Sequence, residues 1–163
     1  MKNLLIPDIH YESVFLIDVE KLKQKGIEGI IIDIDNTLVA WETKEANEKV
    51  LSFIKILLEE GFKICMISNN TRKRVEKFNE VLRLPAIHKA GKPRNAPYRK
   101  AMELLQTHHN NTAVIGDQLF TDILGGNRLG LFTILVTPIS PKEFIWTRLM
   151  RKLERIVMRK IKK

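Results

Sequence analysis

Apolar positions along the chain fall into short β-branched runs separated by stretches with helical spacing. Residues 27–39 contain Gly-Ile-Ile-Ile-Asp-Ile-Asp, which reads as a strand buried on both faces of a parallel sheet. Residues 44–60 have helical spacing, with Thr43 as N-cap and Gly61 as the stop. The same rhythm continues with a strand over 63–68, a helix over 71–82 and a short, weakly signalled strand over 86–88. A helix over 96–107 is broken by Asn110-Asn111. A strand over 112–116, a short helix over 122–129 ended by Gly130, and a strand over 131–136 complete the series.

Strand and helix alternate about five times, which predicts an α/β domain with a central parallel sheet of about five strands and helices on both faces, a three-layer α/β/α arrangement. In such sheets ligands sit beyond the carboxyl ends of the strands. Residues 18–25 form one further short helix, capped by Asp18 and ended by Gly26. After the last strand, Ser140 caps a helix, Pro141 takes its first position and Glu143 completes a capping box. Trp146, Leu149, Met150, Leu153, Ile156, Val157 and Ile161 follow at helical spacing with basic residues between them. The chain therefore divides into a domain over 1–141 and a basic amphipathic helix over 142–163.

With 163 residues, 44% hydrophobic and 29% charged, the chain has the size and composition of one globular domain. The lone Cys65 excludes an intrachain disulfide and lies in an apolar run, as a small buried hydrophobe does. No apolar run approaches the roughly 20 residues of a membrane-spanning helix. Residues 1–7 are too short for a secretory core, so a cytoplasmic protein is expected. The net charge of +9 is uneven: residues 142–163 hold nine Lys or Arg against two Glu, a net of +7, which leaves +2 for the rest. A tail of that kind faces a polyanion, either acidic lipid or nucleic acid.

The strand ends carry the chemistry. Asp33-Ile34-Asp35-Asn36-Thr37 closes the first strand, and carboxylates two residues apart at a strand end can face one cavity. One can attack a phosphorus atom while the other handles the proton of the leaving group. A divalent cation relieves the repulsion between them. Asp-x-Asp-x-Thr arises by chance in about 3% of chains of this length, and a solvated turn that caps a helix is the bland alternative. Ser68-Asn69-Asn70-Thr71 offers a hydroxyl and helix-start N–H groups that either bind an oxyanion or simply cap the helix. Lys92, in Gly91-Lys92-Pro93, can neutralise phosphate charge, with Lys89 a rival for that role. In Gly116-Asp117-Gln118-Leu119-Phe120-Thr121-Asp122, Gly116 allows close approach and Asp117 can complete an oxygen-rich magnesium site with Asp33. Asp122 either caps the next helix or supports the metal from behind. His88, His108 and His109 show no zinc spacing and read as surface or strand residues.

In this order the four segments resemble the motifs of the haloacid dehalogenase superfamily of phosphohydrolases, and the resemblance spans residues 27–136. It implies a Rossmann-like fold, with Asp33 as nucleophile and Asp35 as general acid and base. It implies phosphate contacts from Thr37, Ser68 and Asn69, and Lys92 as the charge clamp. The Mg2+ would be held by Asp33, Asp117, the Asp35 main-chain carbonyl and Asp122.

About one helix separates Thr37 from Ser68, and a short segment separates Ser68 from Lys92, which leaves no room for a cap domain. An open site admits a phosphate carried by something large, such as a lipid headgroup, a nucleic acid end or a protein. The capless core, the Gly-Ile-Glu-Gly-Ile-Ile-Ile-Asp-Ile-Asp-Asn-Thr-Leu-Val stretch, Ser-Asn-Asn and the proline-containing lead resemble the bacterial phosphatidylglycerophosphate phosphatase family. This implies hydrolysis of phosphatidylglycerophosphate to phosphatidylglycerol, with the 142–163 helix at an anionic membrane surface on its inner face. The same helix can instead pack on its own domain. Two rival readings are a phosphatase for nucleic acid ends or small metabolites and a non-catalytic RNA- or ribosome-associated protein. The tail would suit nucleic acid, but no aromatic platform for bases accompanies it. Trp41, an isolated aromatic past the Asp33 loop, is expected to shape the site entrance.

Overall fold

Gly29–Ile32 is the strand at the heart of the sheet, with all four residues buried. Its isoleucines alternate, Ile30 and Ile32 joining the core on one face and Ile31 the core on the other. Each such side chain contributes about 2 kcal/mol by leaving water. In this computed structural model, which describes residues 3–140 and 145–161, the elements follow in order. They are β1 (Ile9–Tyr11), α1 (Val19–Gln24), β2 (Gly29–Ile32), α2 (Glu48–Glu59), β3 (Lys63–Ile67), α3 (Arg72–Asn79) and β4 (Ala86–Ile87). Then come α4 (Asn95–Leu105), β5 (Thr112–Gly116), α5 (Leu124–Arg128), β6 (Phe132–Val136) and α6 (Ile145–Ile161).

The sheet has six parallel strands in the order β1-β6-β5-β2-β3-β4, which places β2 and β5 side by side at its centre. Val50, Phe53, Ile54 and Leu57 of α2 pack on one face with Val75 and Phe78 of α3. Tyr98, Ala101 and Leu105 of α4 pack on the other face, with Cys65 beneath them. Burial pushes the Cys65 thiol up to about 12, so it is an inert core residue. The three-layer α/β/α expectation holds. The connections over 33–47 and 68–71 carry no inserted cap domain.

Four local expectations change. The sheet gains a sixth strand, because β1 pairs along β6 with Ile9 beside Ile134. The helix expected from residue 44 starts at Glu48, with Asn47 and not Thr43 as its cap; Asn47 Oδ1 accepts the Val50 N–H at 3.0 Å. Residues 40–47 instead form a loop that carries Trp41. The helix after β3 ends at Asn79, whose side chain bonds both the N–H and the carbonyl of Leu84. The helix expected from Asp122 is preceded by a π-helical turn, Leu119–Ile123, so Asp122 lies inside a turn and does not cap α5. The Ser140-Pro141-Glu143 helix start falls across residues 141–144, outside the described residues.

Candidate active site

The parallel topology delivers the polar residues to one end of the sheet. Asp33 leaves β2, Ser68 leaves β3, Lys92 follows β4 and Asp117 leaves β5. Beyond these ends lies a cavity of about 340 Å³ lined by Asp33, Asp35, Trp41, Ser68, Asn69 and Lys92 among others. Trp41 does stand at the entrance, as expected.

Asp33 lines the cavity, and beneath it Asp117 and Asp122 bring their carboxylate oxygens within 4.8 Å of its own and of each other, all buried. Lys92 Nζ, itself buried, bonds Asp33 at 2.9 Å and Asp122 at 2.6 Å. Burial lifts the Asp33 carboxyl well above its ordinary value, against the pull of Lys92, and Asp122 and Asp117 add to the lift. Burial likewise pushes Asp117 up to about 6. For Lys92, burial works against the charge, but Asp122 and Asp33 outweigh it and hold the ammonium above its usual range. Lys89 is exposed, so Lys92 is the lysine at the site.

The close approach of Asp122 depends on Gly116. A Cβ there would fall inside the Asp122 side chain, so only glycine lets the turn after β5 fold back over the strand end. Both Asp122 oxygens are engaged, one by Lys92 and one by the Gln118 N–H at 3.2 Å. Asp122 therefore orients the lysine and the Asp117 loop.

The Ser-Asn-Asn segment ties neighbouring loops to the site. Ser68 lines the cavity and its Oγ accepts the Asn70 N–H at 3.0 Å. Asn69 also lines the cavity, but its side chain clasps the Lys92 main chain, accepting from its N–H at 2.8 Å and donating to its carbonyl at 3.3 Å. Asn70 Nδ2 donates to Asp35 at 3.1 Å. Thr37, expected to contact phosphate, is buried, and its hydroxyl donates to Asp117 Oδ1 at 3.1 Å.

Asp35 stands apart from the acidic trio. Arg74 of α3 donates to its Oδ1 at 2.9 Å and to the Lys44 carbonyl at 2.9 Å. With Asn70 on the other oxygen, the carboxylate is fixed at the cavity wall. Sequence reading missed Arg74, one of two arginines in the first turn of the helix that follows β3.

Arg151 was also missed, hidden among the basic residues of the tail. Its guanidinium reaches from α6 to the Asp117 carboxylate and the Asp117 main-chain carbonyl. Its neighbour Glu154 is buried, accepts the Leu119 N–H at 2.8 Å and pairs with Arg151 at 3.0 Å. The three carboxylates outnumber the Lys92 and Arg151 cations that face them, which suits a divalent cation with oxygen ligands. Arg151 supplies part of that compensation, so it competes for the same carboxylate. Arg151→Ala is expected to tighten divalent-cation binding about tenfold, read by titration calorimetry with magnesium or manganese; unchanged affinity would show that the two cations do not compete.

A family model for HAD-hydrolase-like proteins matches residues 89–138. The Bacillus subtilis protein "Probable phosphatase YqeG" is 39% identical over 163 residues, covering 100% of this chain and 95% of its own. The Arabidopsis thaliana "Phosphatidylglycerophosphate phosphatase 1, chloroplastic/mitochondrial" is 27% identical over 180 residues, covering 98% of this chain. This chain spans 49% of that plant protein's length. The cobalt-bound deoxy-D-mannose-octulosonate 8-phosphate phosphatase of Haemophilus influenzae shares the fold, with a TM-score of 0.59 at 14% identity over 84% of this chain and 90% of its own.

Proposed function

The chain belongs to the haloacid dehalogenase superfamily of phosphatases, and from that premise we propose that it dephosphorylates phosphatidylglycerophosphate through an aspartyl-phosphate on Asp33. The observation that carries the reading is the buried Asp33 carboxylate held by Lys92 at 2.9 Å on the floor of an open, capless cavity.

In the first step an Asp33 oxygen attacks phosphorus and the bond to the ester oxygen breaks. Asp35, fixed by Arg74 and Asn70, gives its proton to the leaving oxygen. In the second step Asp35 takes a proton from water as that water attacks the phosphorus of the aspartyl-phosphate. Inorganic phosphate leaves and Asp33 is restored. Lys92 offsets charge on the transferring group throughout. The acidic floor fits Mg2+, which Asp33 and Asp117 would hold, with Asp122 and the Asp35 carbonyl beside them; when bound it neutralises the phosphoryl oxygens. Ser68 offers its hydroxyl to the phosphate.

Two features favour a lipid substrate over a small metabolite. No cap domain covers the cavity among the described residues, and the basic helix α6 is seated beside it. The name of the Arabidopsis relative points the same way. No helix among the described residues is long and apolar enough to cross a membrane; the basic helix α6 supports a peripheral place on the inner face of the membrane.

The test is phosphate release from phosphatidylglycerophosphate in vesicles, with magnesium or with EDTA. A 3′-phosphorylated oligonucleotide and p-nitrophenyl phosphate are run in parallel. Rapid, EDTA-sensitive lipid turnover is expected. Turnover confined to the oligonucleotide would replace the substrate, and strong RNA binding without any turnover would overturn the enzymatic reading.

A further inference from the structure

The helix α6 is seated on the domain by its polar residues, and its apolar stripe is left partly outside. Facing inward are Arg151 against Asp117, Glu154 against the Leu119 N–H, and Met158 against the small cluster of Leu119, Ile123 and Leu135. Facing outward are Lys152, Leu153, Arg155, Ile156 and Arg159, with Leu153 44% and Ile156 52% exposed. At 100° per residue the inward face centres on Glu154, while the apolar stripe read from the sequence centres about a quarter turn away. A helix held by apolar burial alone would roll to cover Leu153 and Ile156. The Arg151 and Glu154 anchors prevent that roll.

The exposed arc therefore has a definite composition. Leu153 and Ile156, three residues apart, are neighbours on the surface, and Lys152, Arg155 and Arg159 flank them. Glu154 is the only acidic residue in α6, and it points inward, so the outward arc is purely basic and apolar. That pairing matches a helix lying in the interface of an anionic bilayer, with its apolar residues at the acyl boundary and its cations among the headgroups. Lys152, Leu153, Arg155, Ile156 and Arg159 include no aromatic residue on which a base could stack. Arg155 lies one turn beyond Arg151, which touches Asp117, so the arc sits about one helix diameter, 10 Å, from the acidic site.

We propose that α6 stays seated on the domain while Leu153 and Ile156, with Lys152, Arg155 and Arg159 beside them, dock on an anionic lipid surface. The helix thus serves both partners at once, one on each face. The inference rests on the lipid reading above only for its purpose; the docking itself is tested without turnover.

The full chain is sedimented with vesicles of phosphatidylcholine, with and without phosphatidylglycerol. Binding to the anionic vesicles alone is expected. It should fall at least tenfold in a Leu153→Glu/Ile156→Glu double variant and in a Lys152→Gln/Arg155→Gln/Arg159→Gln triple variant, as interfacial binding by combined apolar and cationic contacts requires. Melting temperatures check that both variants fold. Hydrogen exchange at the Leu119 amide, which donates to Glu154, should stay slow on vesicles. An Asp33→Asn protein should bind as wild type does, so loss of the catalytic reading and loss of docking are separable. Equal binding to neutral vesicles, unchanged binding by the double variant, or fast Leu119 exchange on vesicles would each overturn the proposal. So would binding of an RNA oligonucleotide through these cations with vesicles ignored.

Discussion

Asp33→Asn is expected to lower phosphate release from p-nitrophenyl phosphate by at least about three orders of magnitude while the domain stays folded. An amide oxygen of the same shape is a far poorer nucleophile than a carboxylate. The fold tolerates the change for a specific reason. Burial already disfavours the Asp33 charge, so removing it relieves repulsion with Asp117 and Asp122. Lys92 keeps its shorter bond, 2.6 Å to Asp122, and is not stranded. The melting temperature should therefore be unchanged or higher. Residual activity within about tenfold of wild type would remove Asp33 as nucleophile. An inactive and unfolded variant would instead show that the carboxylate is needed for the fold.

The parts of the molecule legible in the sequence were those with a local cause. β2, β3 and β5 are visible because a strand buried on both faces must be an unbroken apolar run, as Gly29–Ile32 and Thr112–Gly116 are. Asp33, Ser68, Lys92 and Asp117 were legible because parallel topology gathers strand ends, so their order along the chain predicts their meeting in space. What was missed depends on partners far away in sequence. The strand β1 is three residues long and exists through its pairing with β6. The Thr37 hydroxyl donates to Asp117, 80 residues on, a partner that no local pattern announces. Arg74 and Arg151 reach their carboxylates across 39 and 34 residues. The tail misled for a different reason. Its apolar stripe is a true amphipathic signal, yet two charged anchors decide which face meets the domain.

That dependence on distant charge gives Lys92 an expected effect second only to that of Asp33. Lys92→Met fills nearly the same volume and leaves Asp33 and Asp122 without their shared ammonium. Stranding buried charge in this way is expected to remove about 3–5 kcal/mol of stability, or roughly 10 °C of melting temperature for a domain of this size, and to abolish turnover. The deficit should depend on pH, with a sign fixed by burial. Asp117 has an ordinary value of 3.8 and is pushed up to about 6 in the folded chain, and Asp33 is raised as well. A carboxyl whose folded value lies above its unfolded one binds more protons when folded. Its stabilising contribution is present at low pH and disappears as pH rises through the folded value. The variant should therefore lose least near pH 5 and most at pH 8, above the folded value of Asp117, where one neutralising group is gone. Magnesium should restore part of the loss at pH 8, since a divalent cation answers the same excess charge. Melting curves of both proteins across this range, with and without magnesium, decide it. A deficit that is constant with pH and unmoved by magnesium would mean that Lys92 stabilises the fold by packing, and the charge account of the site would fail.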